Sequence, residues 1–217
     1  MCLTEIIAVD GPAASGKSTT ARKIAEQLAF DYLDTGAMYR ASAFLVMEKG
    51  IDLSNGNEAA HCISEHSIQI ENGSIYLDGR DISGLIRTPE AGEAASIISS
   101  HREVRLQMVQ LQREFGSTHN TVAEGRDMGT VVFPEAALKV YVVADIAIRV
   151  FRRLRDIGGD QVSQMVTSMF RRDYRDRNRE ESPLRLPPGA LWLDGTSMTV
   201  DGQVRFVIDH YRRTKSN

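Results

Sequence analysis

Apolar positions along this 217-residue chain fall into short blocks whose spacing switches between strand and helix. Ile6-Ile7-Ala8-Val9-Asp10 is an apolar, β-branched run stopped by Gly11-Pro12, the pattern of a parallel strand buried on both faces. Ala21, Ile24, Ala25 and Leu28 then recur at helical spacing between Thr19 and Ala29, which predicts strand, loop, helix. A second strand at Tyr32-Leu33 ends at Asp34-Thr35-Gly36, and a helix is predicted from near Ala37 with Met38, Ala41, Leu45 and Val46 on one side. From Ile68 to Ile82 the period changes to alternation. Asn72-Gly73 and Asp78-Gly79 supply the positive φ of tight turns, so a three-stranded meander is predicted. Residues Ala91 to Phe115 read as one long helix, with Ile97, Val104, Met108 and Leu111 packing inward.

Strands at Thr121-Val122-Ala123, with a turn at Gly125, and at Leu138 to Val143 resume the first pattern. Two charged helices follow around Gly158-Gly159 and read as a mobile hairpin, with nine arginines from Arg149 to Arg179. Pro183, Pro187 and Pro188 break that pattern before a last strand, Ala190 to Leu193, and a last helix, Gln203 to Arg213. Gly202 should weaken the start of that helix by up to ~1 kcal/mol. Strands alternating with helices predict an α/β fold with a parallel sheet, and the meander has no place inside such a sheet. It is an insertion. A length of 217 residues, against about 150 per domain, leaves room for one.

Composition narrows the partners. With 42% hydrophobic and 25% charged residues, the chain has the composition of a soluble globular protein. Lys and Arg number 26 against 29 Asp and Glu, a net charge of -3, which argues against a general nucleic-acid or membrane-surface binder. Cys2 and Cys62 are too few for a disulfide framework and read as inert. The first residues lack a secretory signal, and no apolar run approaches the ~20 residues that span a bilayer, so a cytoplasmic protein is expected.

Gly11-Pro12-Ala13-Ala14-Ser15-Gly16-Lys17-Ser18 fits G-x-x-x-x-G-K-[ST] in full. Glycines let the backbone curl so that successive N–H groups point at phosphate oxygens, at the positive end of the following helix. In this pattern Lys17 reaches the β- and γ-phosphates and Ser18 ligates Mg²⁺. Nucleotide binding is the first inference, but the loop alone does not choose among motor, switch and kinase. No guanine-reading N-K-x-D tetrapeptide occurs, and the chain is too short for a ring-forming AAA module.

Two further pieces suggest the second ligand: Asp34-Thr35-Gly36-Ala37-Met38-Tyr39-Arg40 and Glu124-Gly125-Arg126-Asp127-Met128-Gly129-Thr130. Each places an arginine beyond a strand end, where open α/β sheets bind ligands. Two guanidiniums directed into one cleft suggest a second phosphorylated molecule facing the first. Asp10 and Asp145 end predicted strands, and each either orients hydrated magnesium or caps a helix.

With these pieces, and with Ile86-Arg87-Thr88, Asp176-Arg177-Asn178-Arg179 and Gly125 to Pro134, the chain resembles the bacterial cytidylate kinases along essentially its whole length. The resemblance implies a P-loop NTPase fold, a three-layer core around a parallel sheet with a small β-containing nucleoside-monophosphate insertion and a helical lid. The core would comprise residues 1–60, 116–147 and 182–217, the insertion 61–115 and the lid 148–181. It implies phosphorylation of CMP and dCMP with ATP and Mg²⁺ by a monomer; a UMP kinase or another small-acceptor kinase is the alternative.

By position, the resemblance puts Gly11 to Thr19, Arg152 and Arg153 on ATP, with Arg149 a further lid candidate, and Ser18 on the metal. It puts Ser96, Arg105 and Asp127 around cytosine. Arg40, Arg126 and Arg179 would hold the CMP phosphate, and Thr35, Arg172 and Asp176 the sugar region, with Tyr39 lining the same site. Catalysis would rest on Lys17, Arg40, Arg126, Asp127 and Arg179. A carboxylate and a hydroxyl accept from the cytosine amine, whereas uracil presents an oxygen there. Thr35 stands where serine is common, and Glu124, Asp145 and Pro187-Pro188-Gly189 depart from the family pattern.

Overall fold

In a computed structural model, residues 4–71, 73–157 and 162–215 are described, apart from the side chains of Asp156, Ile157, Val162 and Gln164. The expectations for Cys2, Asn72 and Gly158-Gly159 lie outside these residues. Five parallel strands form the main sheet: β1 (Ile6–Asp10), β2 (Asp31–Asp34), β6 (Thr121–Gly125), β7 (Leu138–Val143) and β8 (Leu191–Asp194), in the order β2-β6-β1-β7-β8. Between β2 and β6 the chain builds a second, antiparallel sheet from β3 (Ile68–Glu71), β4 (Ser74–Leu77) and β5 (Arg80–Asp81). This is the expected meander.

Every residue of β1 and β6 is buried, as strands covered on both faces require. Ile7, Val9 and Val122 pack on one face against α1 (Lys17–Leu28) and α8 (Val200–Lys215). Ala8 and Ala123 face the other way, onto α2 (Thr35–Glu48), α3 (Gly56–Ser64), α4 (Pro89–Ile98) and α5 (Arg102–Thr118). Three layers result. Each fully buried aliphatic side chain, such as Ile24 or Leu33, contributes on the order of 1.5–3 kcal/mol. α3 and α5 run across the expected cuts at residues 60/61 and 115/116.

Several boundaries differ from the sequence expectation. The long helix over 91–115 is two helices, because Ser99-Ser100-His101 is held in a turn. The Ser99 and Ser100 hydroxyls donate back to the carbonyls of Ser96 and Ile97, and the His101 ring reaches the Leu53 carbonyl at 2.8 Å. α2 starts at Thr35 because the Asp34 carboxylate accepts from the Ala37 N–H at 2.8 Å. β6 runs through Gly125 and leads into a π-helical turn, Met128–Val132. Asp10 holds that turn, its two carboxylate oxygens accepting from the N–H groups of Met128 and Gly129 at 2.8 Å each.

Asp10 thus serves the first N–H groups of the π-helical turn and not those of α1, whereas Asp145 caps α6 (Ile146–Ile157) by accepting from the Ala147 N–H. α7 (Val162–Asn178) packs beside α6. Beyond it, Pro187-Pro188-Gly189 makes a tight turn closed by the Ala190 N–H on the Pro187 carbonyl, with Gly189 at φ 71. Gly202 falls in the first turn of α8, where its N–H is satisfied by the Thr199 hydroxyl, so the expected weakening is offset. Among the described residues no helix is long and apolar enough to cross a membrane.

Candidate active site

The phosphate loop leaves β1 at Gly11 and enters α1 at Lys17. Gly11 is obligatory: its φ is 155, and a Cβ there would stand 2.2 Å from the Val142 carbonyl oxygen. Gly16, at φ 97, begins the helix. Lys17 is only 5% exposed and donates to the Pro12 carbonyl at 3.3 Å, while Glu124 stands 3.7 Å away. Burial, reinforced by Arg126, pulls the Lys17 pKa down to about 8. The Ser15 hydroxyl is buried with no hydrogen-bond partner inside the curl of the loop, which suits an entering phosphate oxygen.

Glu124, which heads the second ligand-suggesting segment and departs from the family pattern, lies at the phosphate loop. Its Oε1 accepts from the Ser18 hydroxyl at 3.0 Å, and its buried Oε2 has no hydrogen-bond donor. Strand pairing explains this position, since Val9 on β1 is in register with Glu124 on β6. These hard oxygen donors fit Mg²⁺, which takes one or two protein oxygens and completes its shell with substrate phosphates and water. Among the described residues no group of three or more His, Cys, Asp or Glu side chains gathers as a metal site.

In front of the loop lies a cleft of about 380 Å³, lined by Ala13, Ala14, Gly16 to Thr19, Arg40, Glu124, Arg126, Arg152, Arg153, Arg172 and, at the α8 end, Val200 and Gln203. Pro12 contributes its carbonyl to Lys17. Arg152 donates to the Ser15 and Gly195 carbonyls at 2.9 and 2.7 Å. Arg149, a candidate for the donor phosphates, instead donates to the Ala13 carbonyl and to Asp173.

A smaller cavity of about 50 Å³ adjoins the cleft. Thr35, Tyr39, Ser96, Arg105, Arg126, Asp127, Arg172, Asp176 and Arg179 all line it, so nine of the ten residues expected at the acceptor converge there. The tenth, Arg40, opens onto the cleft and pairs with Asp34 at 3.3 Å. Arg126 and Arg172 line both spaces. Asp127 is 2% exposed; it pairs with Arg105 and lies 3.7 Å from Arg179. Asp176 accepts from Arg126 at 2.7 Å, and its carboxyl pKa is held low, the arginines outweighing burial. The Thr35 hydroxyl is committed to the Glu124 carbonyl at 2.8 Å, and burial raises the unpartnered Tyr39 hydroxyl to about 12.

The charges do not balance. Arg105, Arg126, Arg172 and Arg179 face three carboxylates, Glu124, Asp127 and Asp176. Burial and then Arg126 lower the Arg172 pKa to about 10, while burial and then Arg105 lower that of Arg179, whose Nη2 lacks a hydrogen-bond partner. A pocket with surplus guanidinium charge is stabilised by an anion. Sequence reasoning also missed Arg175, which donates at 2.6 Å to both the Ser96 hydroxyl and Glu93, and Asp173; their i, i+3 spacing to the acceptor residues on α7 was the available signal.

A family model described as cytidylate kinase matches residues 7–213. The chain is 38% identical over 213 residues to a cytidylate kinase of Neisseria gonorrhoeae, covering 96% of this chain and 98% of that protein. A cytidylate kinase of Ralstonia nicotianae is 41% identical over 214 residues, covering 97% and 93%. Among solved structures, a gluconokinase of Sinorhizobium meliloti superposes with a TM-score of 0.55 over 99% of this chain and 95% of that one, at 14% identity, a likeness of fold. With the model and both relatives spanning nearly its whole length, the chain belongs to the cytidylate kinase family.

Proposed function

We propose that the chain transfers the γ-phosphoryl group of ATP to CMP and dCMP, giving CDP and dCDP. The observation that carries this is the pair of adjoining spaces, one at a phosphate loop and one with surplus guanidinium charge beside a buried carboxylate, bridged by Arg126 and Arg172. Gly11 to Thr19 cradle the donor phosphates, with Lys17 at the β- and γ-oxygens and Arg152 and Arg153 along the same cleft. Ser18, with Glu124 beside it, would hold Mg²⁺, which would supply charge neutralisation for the donor phosphates.

Arg40, Arg126 and Arg179 hold the acceptor phosphate, Thr35, Arg172 and Asp176 the sugar side, and Ser96, Arg105, Asp127 and Tyr39 the cytosine. No general base is required, because a phosphomonoester oxygen with a second pKa near ~6 is already ionised at neutral pH. Rate enhancement then comes from alignment and from stabilising charge on the transferring group. α6 and α7 act as the lid that excludes water, in a cytoplasmic monomer acting on small nucleotides without a nucleic-acid partner. Phosphorus NMR of protein, MgATP and CMP tests phosphoryl transfer: CDP and ADP should accumulate in equal amounts. Release of inorganic phosphate without CDP would refute it.

A further inference from the structure

Two lid residues grip the phosphate loop by its backbone. Arg149, on α6, donates through one Nη1 to the Ala13 carbonyl at 2.9 Å and to the Asp173 carboxylate at 2.5 Å. Asp173, on α7, accepts from the Ala13 N–H at 3.2 Å through its other oxygen. Arg149 and Asp173 are 6% and 5% exposed, so water offers little competition for these contacts. The two peptide planes flanking Ala13 are therefore both fixed from outside the loop.

The next residue shows why this matters. Ala14 is left-handed at φ 57, a conformation that costs a non-glycine residue about 1–2 kcal/mol and persists only where its surroundings impose it. The carbonyl that Arg149 holds belongs to the same peptide plane as the Ala14 N–H. Turning that carbonyl outward turns the N–H inward, toward the cleft. Pro12 and Ser15 carbonyls are likewise taken by cations, Lys17 and Arg152.

We propose that Arg149 and Asp173 are positioning residues for the phosphoryl donor: the pair imposes the left-handed turn at Ala14 and so aims the N–H groups of the loop at the phosphates. This rests on the reading of the cleft as the ATP site. It also joins both lid helices to the donor loop, so that α7 carries Asp173 for the donor and Asp176 for the acceptor one turn apart.

The test is equilibrium titration with a fluorescent, non-hydrolysable ATP analogue, with CMP affinity measured by calorimetry in parallel. If the parent protein fails to bind the analogue, the donor-site reading fails before any variant is made. Given binding, Arg149→Ala should weaken the analogue by about tenfold or more while CMP affinity stays within about twofold. Arg149→Lys should recover part of the loss, since an ammonium can reach both oxygens. Ala14→Gly, which removes the left-handed penalty, should restore binding in the Arg149→Ala background. Unchanged analogue affinity in Arg149→Ala, equal losses for the analogue and CMP, or no rescue by Ala14→Gly would each overturn the proposal. Should Arg149→Ala not fold, Asp173→Asn, which retains an acceptor for the Ala13 N–H but no charge for Arg149, must show a partial loss of analogue affinity; parent-like binding would overturn it.

Discussion

Glu124 on β6 and Ser18 on α1 meet at 3.0 Å, the hydroxyl donating to the carboxylate. The contact joins the phosphate loop to the strand that carries Arg126 and Asp127 one and two residues beyond its end. The same carboxylate faces Lys17 at 3.7 Å, so its charge is available both to the lysine and to a metal proposed at Ser18. Glu124→Gln keeps the shape and removes the charge. The Mg²⁺ concentration for half-maximal rate should rise, or turnover fall, by about 10–100-fold. Initial rates against magnesium concentration measure this, and a superimposable profile would separate Glu124 from the metal.

Lys17 should make nucleotide binding pH-dependent. Its pKa lies at about 8 in the free protein, below the ordinary 10.5, chiefly through burial. Phosphate oxygens favour the ammonium form, so the complex holds the proton to higher pH than the free protein does. Between these two values binding takes up a proton, and affinity should fall above pH 8 by as much as about tenfold per pH unit. Calorimetric titration of an ATP analogue at pH 9, in two buffers of different ionisation enthalpy, should register that uptake. Lys17→Met should abolish it.

Asp127 separates selectivity from stability. Removing it in Asp127→Ala takes from Arg105 and Arg179 their paired buried carboxylate, which should cost about 3–5 kcal/mol and lower Tm. If the carboxylate also reads the cytosine amine, kcat/KM for CMP should fall by about 100-fold or more relative to that for UMP. A lowered Tm with an unchanged CMP-to-UMP ratio would make Asp127 a structural partner of the arginines alone.

Gly11 and Gly189 both have positive φ but different surroundings. Gly11→Ala drives a Cβ against the Val142 carbonyl, whereas Gly189→Ala meets nothing within 4 Å. The first should destabilise by more than about 3 kcal/mol and abolish analogue binding, and the second by about 1–2 kcal/mol with binding intact. Urea denaturation midpoints distinguish them.

What the linear sequence disclosed depended on how local its causes were. β1, the phosphate loop and the meander were legible because a buried parallel strand reads as an apolar run and tight turns need particular residues. The break between α4 and α5 was not, since serine and histidine are tolerated in helices and the turn is held by Leu53, far away in sequence. The π-helical turn depends on Asp10, 118 residues before Met128. Glu124 had no local mark of its role; only the pairing of β1 with β6 brings it to Ser18. The residues that converge on the smaller cavity were singled out through the family resemblance, while the backbone grip of Arg149 and Asp173 required three separate elements to meet.

The most direct test of the account is turnover of the purified protein with MgATP across CMP, dCMP, UMP and AMP in a coupled ADP-release assay. CMP and dCMP should support ADP formation with kcat/KM about 100-fold or more above UMP and AMP, because a uracil oxygen or a purine leaves the polar groups of the acceptor cavity unpaired. Equal or greater turnover with UMP or AMP, or ADP formation independent of any acceptor, would contradict it.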